Sequence, residues 1–311
     1  MPVSLDNLLV IGISSRALFD LEAEEALFRE HGLEAYRQHQ LKNEHQILDL
    51  GAGFSLVRAL LNLNALSTLA GNQRIVEVVI MSRNSSETSM RIFNSIAYHG
   101  LDITRAVLSG GAALAPYLKA FNVSLFLSLH EDDVQAAVNS GVASARLYRQ
   151  PPAALVSHQP LEQIRIAFDG DAVIFSAESE QIFQAHGIEA FERHERDNAT
   201  KPLPEGPFAH LLKALSFIQK NFKSADGRAR PIRTALVTAR SSPAHERVIR
   251  TLRAWDVTID ETFFMGGVAK SEVLAAFDPH MFFDDQHGHC ERASAWVPTG
   301  RVPWKVTEDA A

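Results

Sequence analysis

The sequence lacks several features that would place it in a common class. It has one cysteine, Cys290, which excludes an intramolecular disulfide and is typical of proteins from a reducing compartment. It has no run of lysine and arginine, and its formal net charge of −7 argues against binding to a nucleic acid polymer. No apolar stretch approaches the roughly 20 residues that span a bilayer, and MPVSLDNLLVIGIS at the start lacks the basic segment of a signal peptide. We therefore expect a cytoplasmic protein with no membrane partner.

The composition itself is that of an ordinary globular protein, with 46% apolar and 22% charged residues. A chain of 311 residues exceeds the size at which single hydrophobic cores usually stop growing, so two domains are expected. The stretch RQPPAALVSHQP at 149–160 contains prolines and no clear periodicity, which indicates a linker. The domains are predicted to cover residues 1–150 and 151–311.

One twelve-residue pattern occurs twice. FREHGLEAYRQH at 28–39 and FQAHGIEAFERH at 183–194 share six identical residues, and 11–40 matches 166–195 without a gap. After one inserted residue the match continues, with VVIMSRN (78–84) on TALVTAR (234–240) and 107–129 on 263–285. Convergence would not explain an ungapped match of this length. We interpret the pattern as an internal duplication.

Each half has the same predicted order of elements. A strand rich in β-branched residues (7–13 and 162–168) precedes the repeated helix, a second helix (near 54–63 and 207–220) and further strands and helices. Strands that alternate with helices favour βαβ units and a three-layer α/β fold with a mainly parallel sheet. The second half has only about thirty-five residues between DGDAV and its second helix, which is room for a small cap element.

The two copies differ in their polar residues at predicted strand ends. Asp169 and Asp171 follow the first strand of the second copy, with Gly170 between them, where the first copy has Ser14 and Arg16. The other replacements, second copy against first, are Thr238 for Ser82, Lys270 for Leu114, Asp284 for Ser128 and Asp285 for Leu129. Sites in open α/β sheets are built at the carboxyl ends of strands. The second domain is therefore predicted to carry a site that the first lacks.

These residue types suit phosphoryl transfer. Neighbouring carboxylates repel one another unless a cation offsets them, and a set of carboxylate oxygens suits Mg²⁺. Lys270 would supply a fixed positive charge and Thr238 a neutral donor to an oxyanion, while one aspartate attacks phosphorus and forms an aspartyl-phosphate. Singly, each signal is weak, because Asp pairs occur in surface turns and can cap helices. Their joint order at strand ends indicates a site.

Four of these stretches resemble the sequence motifs of the haloacid dehalogenase (HAD) superfamily: DGDAV, LVT, the lysine of GGVAK, and FFDD. SSRALFDLE, AFDGDAVIFSAESE, TKPLPEGP, LVTAR and FFDDQ resemble, more narrowly, the type I cytosolic 5′-nucleotidases, from about residue 7 to about residue 300. The resemblance implies two HAD-like Rossmannoid domains, of which 1–150 lacks the catalytic acids and 151–311 is catalytic. It also implies hydrolysis of nucleoside 5′-monophosphates, AMP prominent among them.

The resemblance implies a role for each site residue. Asp169 would be the nucleophile, and Asp171 the general acid that protonates the ribose 5′-oxygen and then the base that activates water. Thr238 and Lys270 would hold the phosphoryl oxygens. Mg²⁺ would bind Asp169, the main-chain carbonyl of Asp171, and Asp284, with Asp285 as an outer or alternative ligand. Further candidates for substrate binding are Gly170, Ala239, Arg240 and Lys201.

The first domain offers a second candidate pocket, with Ser14, Ser15, Arg16, Ser82 and Asn84. We consider that it contributes to the substrate pocket, or that it binds a nucleotide effector such as ADP, ATP or GTP, as the resembling family does. The plainer reading, which we favour, is a structural relic. A homo-oligomer is a further candidate assembly. Alternative functions for the whole chain are a HAD phosphatase for another small ester, such as a sugar phosphate, and a nucleotide-binding regulator without turnover.

The remaining signals are expected to be structural. His31 and His186 precede the glycine of the repeated pattern in both copies, so we expect them to serve helix ends. His287 and His289 follow FDDQ in a polar loop, where we expect them to be solvated and not to bind Zn²⁺. The C-terminal stretch GRVPWKVTEDAA carries no interpretable signal.

Overall fold

The computed structural model describes residues 5, 8–66, 74–149, 163–222 and 230–306. The chain divides into two compact units, Met1–Val142 with Arg149–Gln159, and Ala143–Tyr148 with Pro160–Ala311. The predicted linker lies almost wholly outside the described residues, and the predicted domain assignment stays a prediction. No helix in the described ranges has the length and apolar character needed to cross a membrane.

The first unit contains a parallel sheet with the order β3-β2-β1-β4. Its strands are β1 (Leu9–Ile13), β2 (Val76–Ser82), β3 (Arg105–Leu108) and β4 (Leu125–Ser128). Its helices are α1 (Ser15–Leu18), α2 (Glu22–Lys42), α3 (Phe54–Asn62), α4 (Met90–Tyr98), α5 (Ala115–Ala120) and α6 (Glu131–Asn139). Every residue of β1 and β2 is buried, as expected of parallel strands covered on both faces.

The second unit contains a sheet with the order β5-β10-β9-β6-β7-β8, parallel except for the pairing of β5 with β10. Its strands are β5 (Ser144–Leu147), β6 (Ile164–Phe168), β7 (Ile232–Thr238), β8 (Glu261–Phe264), β9 (Met281–Asp284) and β10 (Thr299–Arg301). Its helices are α7 (Glu178–Asp197), α8 (Ala209–Asn221), α9 (His245–Ala254), α10 (Ser271–Phe277) and α11 (His287–Ser294), with a π-helical turn at Gly170–Ile174. The predicted α/β class with a mainly parallel sheet is confirmed.

Four strands of each unit follow the same order, because β8-β7-β6-β9 repeats β3-β2-β1-β4. The helices that contain the repeated pattern, α2 and α7, are both broken at its glycine. Gly32 has φ 79° and ψ −175°, and Gly187 has φ 76° and ψ −175°. Residues with a Cβ rarely adopt this backbone conformation, so the shared glycine is what allows each helix to break at this position.

Hydrogen bonds also recur at matched positions. The amide of Ser14 donates to Leu127 O (2.9 Å), and that of Asp169 donates to Phe283 O (2.7 Å). The Nε of Arg91 donates to Gln46 O (2.8 Å), and that of Arg247 donates to Lys201 O (3.1 Å). These bonds support the duplication, which remains an inference from the sequence.

The aromatic core packed against β6 and β9 holds the ends of these strands, where the polar residues of the site begin. Phe168 stacks on Phe283 with ring centroids 5.8 Å apart, and Phe208 lies 4.9 Å from Phe283. All three rings are fully buried. Because each strand is anchored by its last apolar residues, Asp169 and Asp284 are held at neighbouring strand ends.

Candidate active site

Asp169 is positioned by the end of β6 and the turn that follows it. Gly170 begins the π-helical turn, in which Ala172 adopts a left-handed φ of 61°. A Cβ on Gly170 would lie 3.2 Å from Thr238 Oγ1. Glycine therefore lets the turn approach the end of β7, and it brings Thr238 beside Asp169.

Three carboxylates converge at this edge of the sheet. Asp169, Asp284 and Asp285 are all buried, and each offers an oxygen within 4.8 Å of the others. Lys270, at the start of α10, places Nζ 2.9 Å from Asp169 Oδ1 and 2.7 Å from Asp284 Oδ2. The ends of β6 and β9 and the start of α10 thus meet in one cluster, which has three acids and one lysine.

The charges of this cluster are unequally compensated. Burial raises the pKa of Asp169 to about 7, with Lys270 opposing the rise and Asp284 adding to it. Burial and the neighbouring Asp169 and Asp284 raise the pKa of Asp285 to about 8. Asp284 is also buried, but Lys270 and His289 hold its pKa below the ordinary value. The cluster therefore has a deficit of positive charge that a further cation would relieve.

The donor set fits a divalent cation with hard oxygen ligands. Asp169, Asp284 and Asp285 supply carboxylate oxygens alone, which is the chemistry that Mg²⁺ selects. The side chain of Asp171 is not part of this set, and the role of its main-chain carbonyl in holding Mg²⁺ stays a prediction.

Asp171 is held by an arginine. Arg240 Nε donates to Asp171 Oδ2 (2.8 Å) and Nη2 donates to Oδ1 (2.6 Å), while Nη1 donates to Glu195. Arg240 was predicted to bind substrate, but its Nε, Nη1 and Nη2 are all engaged by protein carboxylates. This geometry favours a role in holding Asp171 over direct contact with a ligand.

In the part of the chain that the structure describes, Lys201, Ala239 and Thr238 form no hydrogen bond or ion pair with the three aspartates of the cluster, although they too were predicted to bind substrate or phosphate. Lys201 is exposed, and its Nζ donates to Asn198 Oδ1 (3.2 Å) instead of an aspartate of the cluster. Ala239 is exposed between two buried residues, Thr238 and Arg240. Thr238 Oγ1 accepts the amide of Arg240 (3.2 Å), so its hydroxyl also caps the turn after β7. Roles for these residues in substrate binding stay predictions.

The candidate pocket of the first unit contains an arginine that is already paired with acidic side chains. Arg16 Nη2 donates to Glu22 Oε1 (2.7 Å), and its Nη1 lies 3.1 Å from Glu25 Oε2. Ser15 Oγ and Ser82 Oγ are 3.1 Å apart, and Ser14 Oγ accepts the amide of Ala17. Asn84 lies beside them and donates its amide to Ser82 Oγ. The two glutamates offset the charge of Arg16, which favours a structural relic over an anion site.

Three residues near the cluster were missed in the sequence. Trp304 Nε1 donates to Asp285 Oδ2 (2.7 Å), although the C-terminal stretch carried no signal. His289 was expected to be solvated, and this was wrong: its Nδ1 lies 3.4 Å from Asp284 Oδ2, because α11 begins directly after the FDD motif. Glu195 could have been found from the sequence, because it is a further acid of the second copy at a position where the first copy has a neutral residue, Gln40.

A model of the 5′-nucleotidase family matches residues 1–309. The chain belongs to the 5′-nucleotidase family. This membership confirms the resemblance that the motifs indicated.

The chain is 38% identical over 296 residues to human cytosolic 5′-nucleotidase 1B, and the match covers 94% of this chain. The chain spans about half the length of that relative, since the match covers 48% of it. No solved structure matches the chain.

Proposed function

We propose that the chain is a Mg²⁺-dependent phosphoric monoester hydrolase that converts nucleoside 5′-monophosphates, AMP-like substrates among them, to nucleoside and phosphate. The observation that carries this proposal is the buried cluster of Asp169, Asp284, Asp285 and Lys270 in a member of the 5′-nucleotidase family. The cytosolic name of the human relative supports a cytoplasmic location. A nucleotide effector and a homo-oligomer stay predictions.

Asp169 is the nucleophile in the proposed reaction. A carboxylate oxygen of Asp169 attacks phosphorus, the bond from phosphorus to the ribose 5′-oxygen breaks, and Asp171 gives its proton to that oxygen. An aspartyl-phosphate remains on Asp169. Asp171, now a carboxylate, takes a proton from water, whose oxygen attacks phosphorus, releases phosphate and restores Asp169.

Lys270 and Thr238 bind the phosphoryl oxygens in this proposal. The ammonium of Lys270, 2.9 Å from Asp169 Oδ1, opposes the rise in the pKa of the nucleophile and attracts the phosphoryl group. Asp169, Asp284 and the carbonyl of Asp171 would hold Mg²⁺, with Asp285 next to them. When bound, the ion would offset negative charge on the cluster and on the transferring group.

The test is phosphate release from AMP, IMP, CMP, dAMP and glucose 6-phosphate, with Mg²⁺ and with EDTA. The variant Asp169→Asn should lose roughly 10³-fold or more of the activity, because asparagine cannot act as the nucleophile. Asp132→Asn, at an exposed position of α6, is the matched control and should retain it. Release from glucose 6-phosphate but not from nucleotides would favour the alternative phosphatase. Absence of release from every ester would favour the regulator.

A further inference from the structure

A buried chain of ion pairs connects Asp171 to the broken helix α7. Arg240 binds both carboxylate oxygens of Asp171 and, through Nη1, the carboxylate of Glu195. Arg240 is 4% exposed and Glu195 1%. The ring of Phe191, also on α7, lies 5.3 Å from the guanidinium carbon of Arg240. The position of Asp171 is therefore linked to one segment of α7, the part after Gly187.

Glu195 is fully engaged on its other side. Its Oε1 accepts from Ser179 Oγ (2.8 Å) and from Arg247 Nη1 (2.9 Å). Asp171 and Glu195 thus face the guanidinium groups of Arg240 and Arg247, and Asp171 has to take up a proton before it acts as the general acid. Burial alone would lower the pKa of Arg240, but Asp171 and Glu195 raise it, which keeps the guanidinium charged. A planar, doubly hydrogen-bonded guanidinium fixes the plane of the Asp171 carboxyl.

The first unit shows which of these ion pairs the fold itself needs. Arg91 matches Arg247, and it pairs with a buried glutamate, Glu24, from the broken helix α2. One arginine–glutamate pair therefore occurs in both units. By contrast, the positions that match Asp171, Arg240 and Glu195 are occupied by Arg16, Asn84 and Gln40.

The second arginine thus appears only in the unit that has Asp171. The glutamate has also changed place, from the start of the broken helix in the first unit to its end in the second. At that end it faces Arg240 as well as the shared arginine. Because the fold is formed without this arrangement in the first unit, we assign the arrangement to the aspartate.

We propose that Arg240 and Glu195 are positioning residues for Asp171, so that α7 sets the orientation of the group that protonates the leaving oxygen. The proposal rests on the proposed function. When the bond from phosphorus to the ribose 5′-oxygen breaks, that oxygen must take a proton from Asp171 to leave as a hydroxyl. A p-nitrophenolate, in contrast, leaves as a stable anion without one. Mispositioned Asp171 should therefore slow AMP hydrolysis much more than p-nitrophenyl phosphate hydrolysis.

The experiment compares kcat/KM for AMP and for p-nitrophenyl phosphate, because kcat/KM reports the steps through transfer to Asp169. The variants are Glu195→Gln, which keeps the shape and removes the charge, and Arg240→Lys, which keeps the charge and removes the planar fork. Glu24→Gln is the matched control, since it removes the corresponding buried carboxylate from the first unit. A thermal melt of each variant reports its stability separately.

Glu195→Gln and Arg240→Lys should each lower kcat/KM for AMP about tenfold more than for p-nitrophenyl phosphate, a fraction of the 10²–10⁴ that general acid catalysis supplies. Glu24→Gln should change both substrates equally, whatever its melting temperature. Equal losses on both substrates in the two test variants would overturn the proposal. If one variant does not fold, the other decides. Failure of the wild type to hydrolyse either ester would instead refute the proposed function.

Discussion

Replacement of Lys270 by methionine tests the charge balance of the cluster. The substitution keeps the length of the side chain and removes the ammonium that lies within 2.9 Å of both Asp169 and Asp284. Loss of one partner from a buried ion pair costs about 3–5 kcal/mol, because a buried charge is left without compensation. For a unit of this size the loss corresponds to a melting temperature lower by roughly 6–20 °C. The measurement is a thermal melt in EDTA.

Added Mg²⁺ makes this prediction more specific. Without the lysine, three carboxylates remain within 4.8 Å of one another, so they should bind a divalent cation more tightly than in the wild type. At about 100 times its dissociation constant a ligand stabilises a protein by about 2.7 kcal/mol. Mg²⁺ should therefore raise the melting temperature of Lys270→Met by more than that of the wild type, although we expect the variant to be inactive.

The control for this experiment is Lys220→Met. Lys220 pairs with the exposed Asp256, and such surface pairs contribute less than about 1 kcal/mol. A Lys270→Met protein as stable in EDTA as this control would refute the charge argument. So would a larger effect of Mg²⁺ on the wild type than on the variant.

Two further predictions concern the surroundings of the site. Trp304→Phe removes the donor to Asp285 Oδ2 and should raise the Mg²⁺ concentration for half-maximal activity about tenfold; an unchanged Mg²⁺ titration would contradict it. Gly187→Ala and Gly32→Ala should each lower the free energy of unfolding in urea by about 1–3 kcal/mol, because alanine is strained at these φ angles. Gly288→Ala lies at a helical position without a left-handed φ, where an added Cβ would make only an ordinary contact with Arg292 Nη1 (3.7 Å); it should be neutral or stabilising by up to about 1 kcal/mol.

The order of elements could be predicted because it depends on local pattern. Buried strands such as LVIGI and IRIAF are short apolar runs between polar turns, and they stand where the repeat places them. The pairing of β5 with β10 could not be predicted. SARL and TGR are short, and the partner of such a strand depends on distant chain segments, since Gly300 pairs with Leu147.

The cluster of the candidate site was predictable to the extent that its members end neighbouring strands. Asp169, Asp284 and Lys270 meet because β6 and β9 are adjacent and α10 follows the glycine-rich turn after β8. The contact of Trp304 with Asp285 depends on the path of the chain after β10, and no periodicity encodes such a path. The direction of the Arg240 side chain could not be predicted from the sequence pattern either. An arginine at a strand end can face solvent or a buried acid, and only the position of Glu195 decides.

The comparison of the two units explains how a domain of this kind can lose its acids and keep its fold. The side chain of Asp284 has two roles, because its Oδ1 also accepts the amide of Gln286 (2.9 Å). Ser128, at the matched position, accepts the amide of His130 (3.1 Å) through its hydroxyl. The change from aspartate to serine thus removes a charge and retains the hydrogen bond that ends the strand.

Within the described ranges the side chain of Lys270 donates to carboxylates and to no backbone group, and its counterpart is the buried Leu114. A lysine is required at this position only while carboxylates face it, because a buried ammonium without partners is costly. In the first unit serines stand at the positions that match Asp169 and Asp284. An apolar side chain is therefore more stable than lysine at position 114. The absence of the acids and the absence of the lysine in the first unit are therefore physically coupled. It follows that Leu114→Lys should destabilise the first unit, whereas Lys270→Leu should be tolerated best when Asp169 and Asp284 are both replaced by serine.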